Sequence, residues 1–191
     1  MKKVFTRFFV LLLVLLGVFV FPTESRAENM TFDMISKDLG GILAPGELVA
    51  ADGYIYGFFG ATMQIMQRKN ESFSRLASID FPSDVKSVCV SGNKIYAATS
   101  RNGIFVYDVT DKFAPTYLGK SPDLAGYEVV SVFVHGGYAY QGLSGRMQIY
   151  NVSDPTNISL VKEDTSFTPL KFITTGNIMY ILMSASKVGI M

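Results

Sequence analysis

Residues that could carry out acid, base or nucleophilic chemistry are sparse in this chain of 191 residues. His135 is the single histidine and Cys89 the single cysteine, so no metal site of the usual His and Cys type can be built. His135 precedes Gly136 in a tight turn, where we expect a solvated residue and not a general base. Cys89 lies in an apolar segment, which predicts a buried, unreactive thiol.

Recognisable catalytic motifs are also missing from the sequence. It holds no Gly-x-Ser-x-Gly elbow and no Gly-rich phosphate loop followed by Lys. Asp108, Asp111 and Asp154 follow predicted strands, where aspartate usually caps a turn by accepting backbone N–H bonds. We therefore expect no catalytic residue, no metal and no cofactor.

Tyrosines recur at one position of a repeated pattern. A Gly- or Asp-containing turn leads each time into a strand that contains Tyr56, Tyr96, Tyr140 or Tyr180, and these tyrosines are 40, 44 and 40 residues apart. A second apolar segment follows each strand at a nearly constant distance. A period of this length made of short strands predicts β-propeller blades, with the tyrosines packed between blades.

Each complete unit contains four predicted strands. They cover 85–90, 94–99, 104–109 and 116–120 in the second unit, and 129–134, 138–143, 147–152 and 158–163 in the third. The units span about 46–84, 85–128, 129–169 and 170–191, the last incomplete. The predicted structural residues of the turns are Gly92, Asn93, Asn102, Gly103, Asp108, Asp111, Gly136, Asn151, Asp154 and Pro155.

The second and third units resemble the LVIVD repeat, a β-propeller repeat of extracytoplasmic bacterial and archaeal proteins. The similarity is carried by residues 92–96, 102–111 and 115 in the second unit, and by 136–155 in the third. It is weak in the first unit, where residues 66–70 replace the Asp-containing turn. The resemblance implies an all-β propeller of four-stranded blades and a secreted or surface location, and it implies no particular reaction.

The number of blades allows two interpretations. Aligned with the second unit, Met191 matches Tyr107 and falls inside a strand. We expect an incomplete propeller arc, a truncated piece of a larger propeller, because four blades are at the low end of the known range and nothing caps the last edge. Alternatively, residues 30–35 supply a missing outer strand and close a four-bladed ring.

The first 27 residues read as a signal peptide. Three basic residues precede the apolar run 8–21, and Ser25 and Ala27 fit the small-x-small cleavage rule. As a helix, 14 residues would extend roughly 21 Å, short of the roughly 30 Å hydrocarbon core of a bilayer. We expect cleavage and a secreted or extracytoplasmic protein, the alternative being an uncleaved N-terminal anchor. Membrane contact is then expected only through this segment before cleavage.

The charge of the remaining chain argues against nucleic acid as a partner. Removing residues 1–27 takes away four basic residues and one acidic residue, which leaves 13 basic against 15 acidic residues. The basic residues are scattered singly and form no patch that could neutralise phosphates.

The loops of one rim are the predicted partner site. Propellers commonly bind partners through the loop between their second and third strands and through the connection between blades. The connector 121–128 is the first choice, because it holds an apolar pair and an aromatic residue. The candidate residues are Asp84, Arg101, Asn102, Asp123, Tyr127, Glu128 and Arg146.

Three functions remain open at this point. The favoured one is a secreted, non-catalytic repeat protein that binds another protein or a cell-surface component. The second is a propeller hydrolase or lyase with carboxylates gathered at its axis, with or without Ca²⁺. The third is a remnant of a larger propeller, prone to self-association through open strand edges.

Overall fold

The computed structural model describes residues 48–191 except 71, 125, 176–177 and 185–186. All of these residues belong to the unit Met34–Met191. The predicted signal peptide 1–27 and the predicted closing strand 30–35 lie outside the described residues.

The described residues form four antiparallel sheets in chain order. Within each sheet, every strand pairs with the next one along the chain, which is the meander of a propeller blade. Sheet 1 contains β1 (Leu48–Ala51), β2 (Tyr54–Phe59), β3 (Thr62–Lys69) and β4 (Ser72–Asp80); sheet 2 contains β5 (Val85–Ser91), β6 (Lys94–Thr99), β7 (Gly103–Asp108) and β8 (Thr116–Lys120); sheet 3 contains β9 (Val129–His135), β10 (Tyr138–Leu143), β11 (Arg146–Asn151) and β12 (Ser159–Asp164); sheet 4 contains β13 (Pro169–Thr175), β14 (Ile178–Met183) and β15 (Lys187–Ile190).

The prediction of an all-β propeller built from four-stranded blades is confirmed. Sheets 1 to 3 have four strands each and sheet 4 has three. In the described part of the chain, no helix is long and apolar enough to cross a membrane.

Residues with positive φ close the hairpins. Asp52 and Gly53 have φ of 52° and 79°, the pair of left-handed residues that a tight two-residue hairpin turn requires. At the turns where an Asn accompanies a Gly, the positive φ falls on Gly92 (55°) and Gly103 (76°). Gly, which lacks a Cβ, takes that conformation at no steric cost, so the glycine of each Gly-Asn or Asn-Gly pair supplies the positive φ of its turn.

Irregular pairing repeats along with the strands. The register shifts between the third and fourth strands after Ile65 in sheet 1, after Val106 in sheet 2 and after Ile149 in sheet 3, which are equivalent positions of the repeat. A shift of this kind bends a strand and increases its twist. The blades therefore share their distortions as well as their strand order.

Successive sheets pack face to face through apolar clusters. Tyr56 of sheet 1 packs with Ile95 and Val88 of sheet 2. Tyr96 of sheet 2 packs with Val132 and other apolar residues of sheet 3. A smaller cluster joins sheets 3 and 4, with Tyr140, Phe133 and Met147 on one side and Phe172, Met179 and Ile181 on the other.

Candidate partner-binding site

The connector 121–128 is anchored at its start by paired hydrogen bonds to sheet 2. Ser121, only 1% exposed, donates its backbone N–H to the carbonyl oxygen of Ile104 at 2.9 Å, and its Oγ accepts the N–H of Ile104 at 2.9 Å. A Cβ at Gly103 would overlap Ser121 Oγ and the carbonyl oxygen of Pro122, so only Gly allows this close approach. The connector therefore leaves the sheet from a fixed point.

The middle of the connector is tied to the loop between β6 and β7. The N–H of Leu124 donates to the carbonyl oxygen of Arg101 at 2.9 Å. Asp123 pairs with Lys120 and accepts a hydrogen bond from Asn102. The hydrogen bond from Lys120 is the main reason that the pKa of Asp123 lies below its usual value. The structure thus brings Arg101, Asn102 and Asp123 together.

The end of the connector meets sheet 3 at Arg146. The guanidinium carbon of Arg146 lies 3.7 Å from the centroid of the Tyr127 ring, and its Nη1 donates to Glu163 Oε1 at 2.9 Å. Glu163 Oε2 accepts from Gln148 Nε2 at 2.7 Å, and Gln148 Oε1 accepts from the Tyr150 hydroxyl at 2.7 Å. We call these five side chains, Tyr127, Arg146, Gln148, Tyr150 and Glu163, the Arg146 cluster.

The electrostatics of the Arg146 cluster follow from its hydrogen bonds and its partial burial. The side chains of Arg146 and Glu163 are 21% and 31% exposed. Hydrogen bonds from Gln148 and then from Arg146 lower the pKa of Glu163, whereas burial raises the pKa of Tyr150. The cation is therefore held between a carboxylate and an aromatic face, a geometry that fixes a guanidinium in place.

Unsatisfied donors and acceptors lie beside the Arg146 cluster. Gln141 is fully buried, and neither its Oε1 nor its Nε2 has a hydrogen-bond partner in the described structure. The same is true of the buried Nε of Arg146. The register places Gln141 directly opposite Gln148, so both project from the same face of sheet 3. Buried amides are rarely left without hydrogen-bond partners. The side chain of Gln141 therefore holds a donor and an acceptor that the described residues do not satisfy.

Sequence reasoning named Tyr127 and Arg146 but missed Gln141, Gln148 and Glu163. Gln141 could have been noticed as an amide inside an apolar strand, at the place that Ala97 occupies in sheet 2. Nothing in the sequence indicated Glu163 as a site residue. Its approach to Arg146 depends on the pairing of β11 with β12 and on the register shift between Ile149 and Tyr150.

The two remaining candidates occupy equivalent places in neighbouring connections. The carbonyl oxygen of Glu128 accepts the N–H of Ser144 at 2.9 Å, and that of Asp84 accepts the N–H of Ser100 at 2.8 Å. The Asp84 carboxylate is 58% exposed and lies 3.4 Å from Lys86 Nζ. Asp84 thus approaches the 100–102 loop from the side of sheet 1, and Glu128 lies at the next loop of the same rim.

The polar turn residues make the backbone contacts expected of caps. Asp108 accepts the N–H of Thr110 at 2.7 Å, and Asp154 that of Thr156 at 2.9 Å; hydrogen bonding to these threonines lowers the pKa of both aspartates. Asp111 and Asn151 accept N–H bonds in the same way. Among the described residues, no group of three or more His, Cys, Asp or Glu side chains is arranged to hold a metal ion.

His135 lies where the sequence placed it, but the prediction that Cys89 is buried is wrong. His135 ends β9 and is exposed beside the turn. Cys89 is half-buried, and burial raises the pKa of its thiol, which lowers the fraction of reactive thiolate at neutral pH.

Comparison with known families identifies the repeat. The family model of the LVIVD repeat matches residues 82–121 and 126–164. These two segments are LVIVD repeats. The first LVIVD repeat contributes Arg101, Asn102 and Ser121 to the rim, and the second contributes Tyr127 and the rest of the Arg146 cluster. The candidate site therefore lies at the junction of the two LVIVD repeats.

Two solved structures share the fold of this chain. The computationally designed protein Ika4 aligns with a TM-score of 0.59 at 10% identity, over 75% of this chain and 88% of Ika4. The computationally designed protein Ika8 aligns with a TM-score of 0.60 at 9% identity, over 75% of this chain but only 44% of Ika8. At this identity the likeness concerns the fold alone. No curated protein sequence matches the chain.

Proposed function

We propose that the chain is an exported, non-catalytic scaffold that binds a protein or cell-surface component through the rim at the LVIVD junction. The Arg146 cluster is the observation that carries this proposal. It combines an aromatic ring, a cation and a carboxylate, half-buried and supported by paired strands. Arg and Tyr fixed on a rigid support are typical of residues that dominate binding energy in protein interfaces.

A binding role fits the state of the polar residues better than catalysis does. The turn aspartates Asp108, Asp111 and Asp154 accept local backbone hydrogen bonds, and Glu163 accepts two side-chain hydrogen bonds. A general base needs a carboxylate that is free to take a proton from substrate. Within the Arg146 cluster, Arg146 and Glu163 instead hold one another in place.

Export is supported by the first 27 residues and by the repeat. The apolar run 8–21 and the small residues Ser25 and Ala27 favour signal-peptide cleavage. The resemblance of residues 82–121 and 126–164 to the LVIVD repeat implies a secreted or surface location. The partner would accordingly be a component of the cell envelope or of its surroundings.

Capture from an envelope extract tests the binding role. The full chain, exported and processed by a bacterial host, is immobilised beside the variants Tyr127→Ala, Arg146→Ala and Lys162→Ala. Lys162→Ala removes an exposed cation from β12 and is the control. We expect one partner to be retained by the unaltered protein and by Lys162→Ala, and lost from both cluster variants. Retention of nothing specific, or equal retention by all variants, would contradict the proposal.

Mass and fractionation test the location. We expect the processed protein to begin at Glu28 and to leave the cytoplasm. A product that stays in the cytoplasm with residues 1–27 attached would contradict export without bearing on the rim.

A further inference from the structure

The side of sheet 4 that faces away from sheet 3 is exposed and largely apolar, with the charged Lys171 opposite Leu182. Ile173, Tyr180 and Ile190 lie opposite one another across the three strands, and Leu182 lies opposite Val188. Their exposed fractions run from 37% for Tyr180 to 72% for Ile190. With Ile178 these residues form what we call the Tyr180 face: Ile173, Ile178, Tyr180, Leu182, Val188 and Ile190.

The other side of sheet 4 is already used. Phe172, Met179 and Ile181 alternate with residues of the Tyr180 face and are buried against sheet 3. Both sides of sheet 4 are therefore largely apolar, as expected of a sheet that lies inside a stack of sheets. Among the residues that the structure describes, only the side facing sheet 3 is covered.

Three equivalent faces in the same chain show what covers such a surface. Tyr56 is 0% exposed against sheet 2, Tyr96 is 5% exposed against sheet 3, and Tyr140 is half-buried against sheet 4. Tyr180 occupies the fourth equivalent position. In each of these three cases the covering element is the next sheet along the chain. We therefore expect the surface that fits the Tyr180 face to be a further sheet of this kind.

Neighbouring sheets contact each other through the first and second strands of each sheet, which we call the inner strands. β1 contacts β5, β5 and β6 contact β9, and β9 and β10 contact β13. The next contact in this series would pair β13 and β14 with an inner strand such as β1. In the part of the chain described here, no strand of sheet 1 packs extensively against sheet 4.

Sheet 1 presents the matching surface on its inner strands. Leu48 is 43% exposed, Ala50 is exposed and Ile55 is half-buried, and these positions are equivalent to Val88, Val90 and Ile95 of sheet 2. Met66 and Gln64, on the outer part of the same side, are already buried. A contact with this side is therefore confined to β1 and β2, the strands that carry the other contacts between sheets.

We propose that two copies of the chain associate head to tail, with the Tyr180 face of each copy packed on β1 and β2 of the other. Two such contacts close a ring of eight sheets, which is within the range of four to eight blades that propellers use. Head-to-tail contacts of this type form a closed ring when the rotation between copies completes a circle. The contact uses sheet faces and not the open strand edges that the sequence suggested.

Molecular mass in solution tests the association. The full chain is exported, purified as processed, and measured by sedimentation velocity and light scattering over a range of concentrations. We expect the mass of two chains, and the mass of one chain for Ile173→Asp. Val161→Asp is the matched control, because Val161 and Ile173 are both 57% exposed but Val161 lies on β12. Circular dichroism checks that each variant is folded, and Val188→Lys replaces Ile173→Asp if that variant is not.

A mixing experiment tests the head-to-tail arrangement. Leu48→Asp alone should also have the mass of one chain. A mixture of Leu48→Asp and Ile173→Asp should regain the mass of two chains, because one copy keeps an intact Tyr180 face and the other an intact β1. A single-chain mass for the unaltered protein at every concentration would overturn the proposal. A two-chain mass for Leu48→Asp alone would also overturn it, because it would mean that two Tyr180 faces pack on each other. A single-chain mass for Val161→Asp, equal to that of Ile173→Asp, would overturn it as well.

Discussion

At the scale of single residues, a close approach between β8 of sheet 2 and the loop after β11 depends on a glycine. A Cβ at Gly119, in β8, would overlap the backbone carbonyl oxygen of Pro155, which belongs to the loop after β11. Backbone cannot move aside as a flexible side chain can. We expect Gly119→Ala to lower the free energy of unfolding by about 2–3 kcal/mol, measured by urea denaturation.

Gly189→Ala is the control for this substitution. The nearest atom to its new Cβ is Met183 Cε at 3.0 Å, the end of a flexible side chain. We expect a change within about 0.5 kcal/mol. Equal losses in the two variants would mean that the approach of Pro155 to Gly119 does not limit packing.

The lowered pKa of Glu163 predicts a pH-dependent contribution to stability. Its folded pKa lies below its usual 4.5, so the stabilisation is fully present above that pH and is lost as the pH falls through the folded pKa. We expect Glu163→Gln to be less stable than the unaltered protein at neutral pH, with the difference vanishing in acid. Urea denaturation at a series of pH values measures it.

Glu128→Gln provides the comparison for this pH series, because Glu128 is exposed on the same rim. At neutral pH, its free energy of unfolding should differ from that of the unaltered protein by no more than about 0.5 kcal/mol. A Glu163→Gln difference that persists unchanged into acid would show that the carboxylate charge does not stabilise the Arg146 cluster.

At the scale of elements, the tyrosine positions differ in what covers them. Tyr96 on β6 is 5% exposed between sheets 2 and 3, whereas Tyr138 on β10 is 39% exposed. Removing a buried aromatic side chain leaves a cavity that its neighbours fill only in part. We expect Tyr96→Ala to cost about 3–5 kcal/mol and Tyr138→Ala much less. Similar losses in thermal or urea unfolding would argue against tight packing between these blades.

The strands were predictable from sequence because the residues at their ends are types that favour turns. Observed and expected bounds coincide for Lys94–Thr99, Thr116–Lys120 and Tyr138–Leu143, and the other strands of sheets 2 and 3 differ by about one residue. Gly92, Gly103 and Gly136 close turns that no larger residue closes as easily. Local signals of this kind act within a few residues of the strand end.

The candidate site was only partly predictable because it depends on contacts between distant residues. Tyr127 and Arg146 were chosen singly, from a connector and a loop. Their stacking, and the approach of Glu163, require the pairing of β9, β10, β11 and β12 and the shift after Ile149. A one-residue change of register would turn Glu163 to the other side of the sheet.

At the scale of the whole molecule, stability should depend on how many neighbours each sheet has. In the described residues, strong contacts between sheets join only consecutive ones. Sheets 2 and 3 have neighbours on both sides, and sheet 4 is packed on one. In repeat proteins of this kind, stability is close to a sum of unit terms and nearest-neighbour terms.

Amide hydrogen exchange can measure this gradient along the chain. Because local opening is easiest where the fewest buried contacts are broken, we expect β14 to exchange faster than β6 and β10 at low protein concentration. If two copies cover the Tyr180 face, exchange in β14 should slow as concentration rises while that in β6 stays constant. Mass spectrometry of peptides from the three strands follows both effects. Uniform exchange across the sheets would show that the blades unfold as one cooperative unit. Protection of β14 at every dilution would show that its outer face is covered within a single chain.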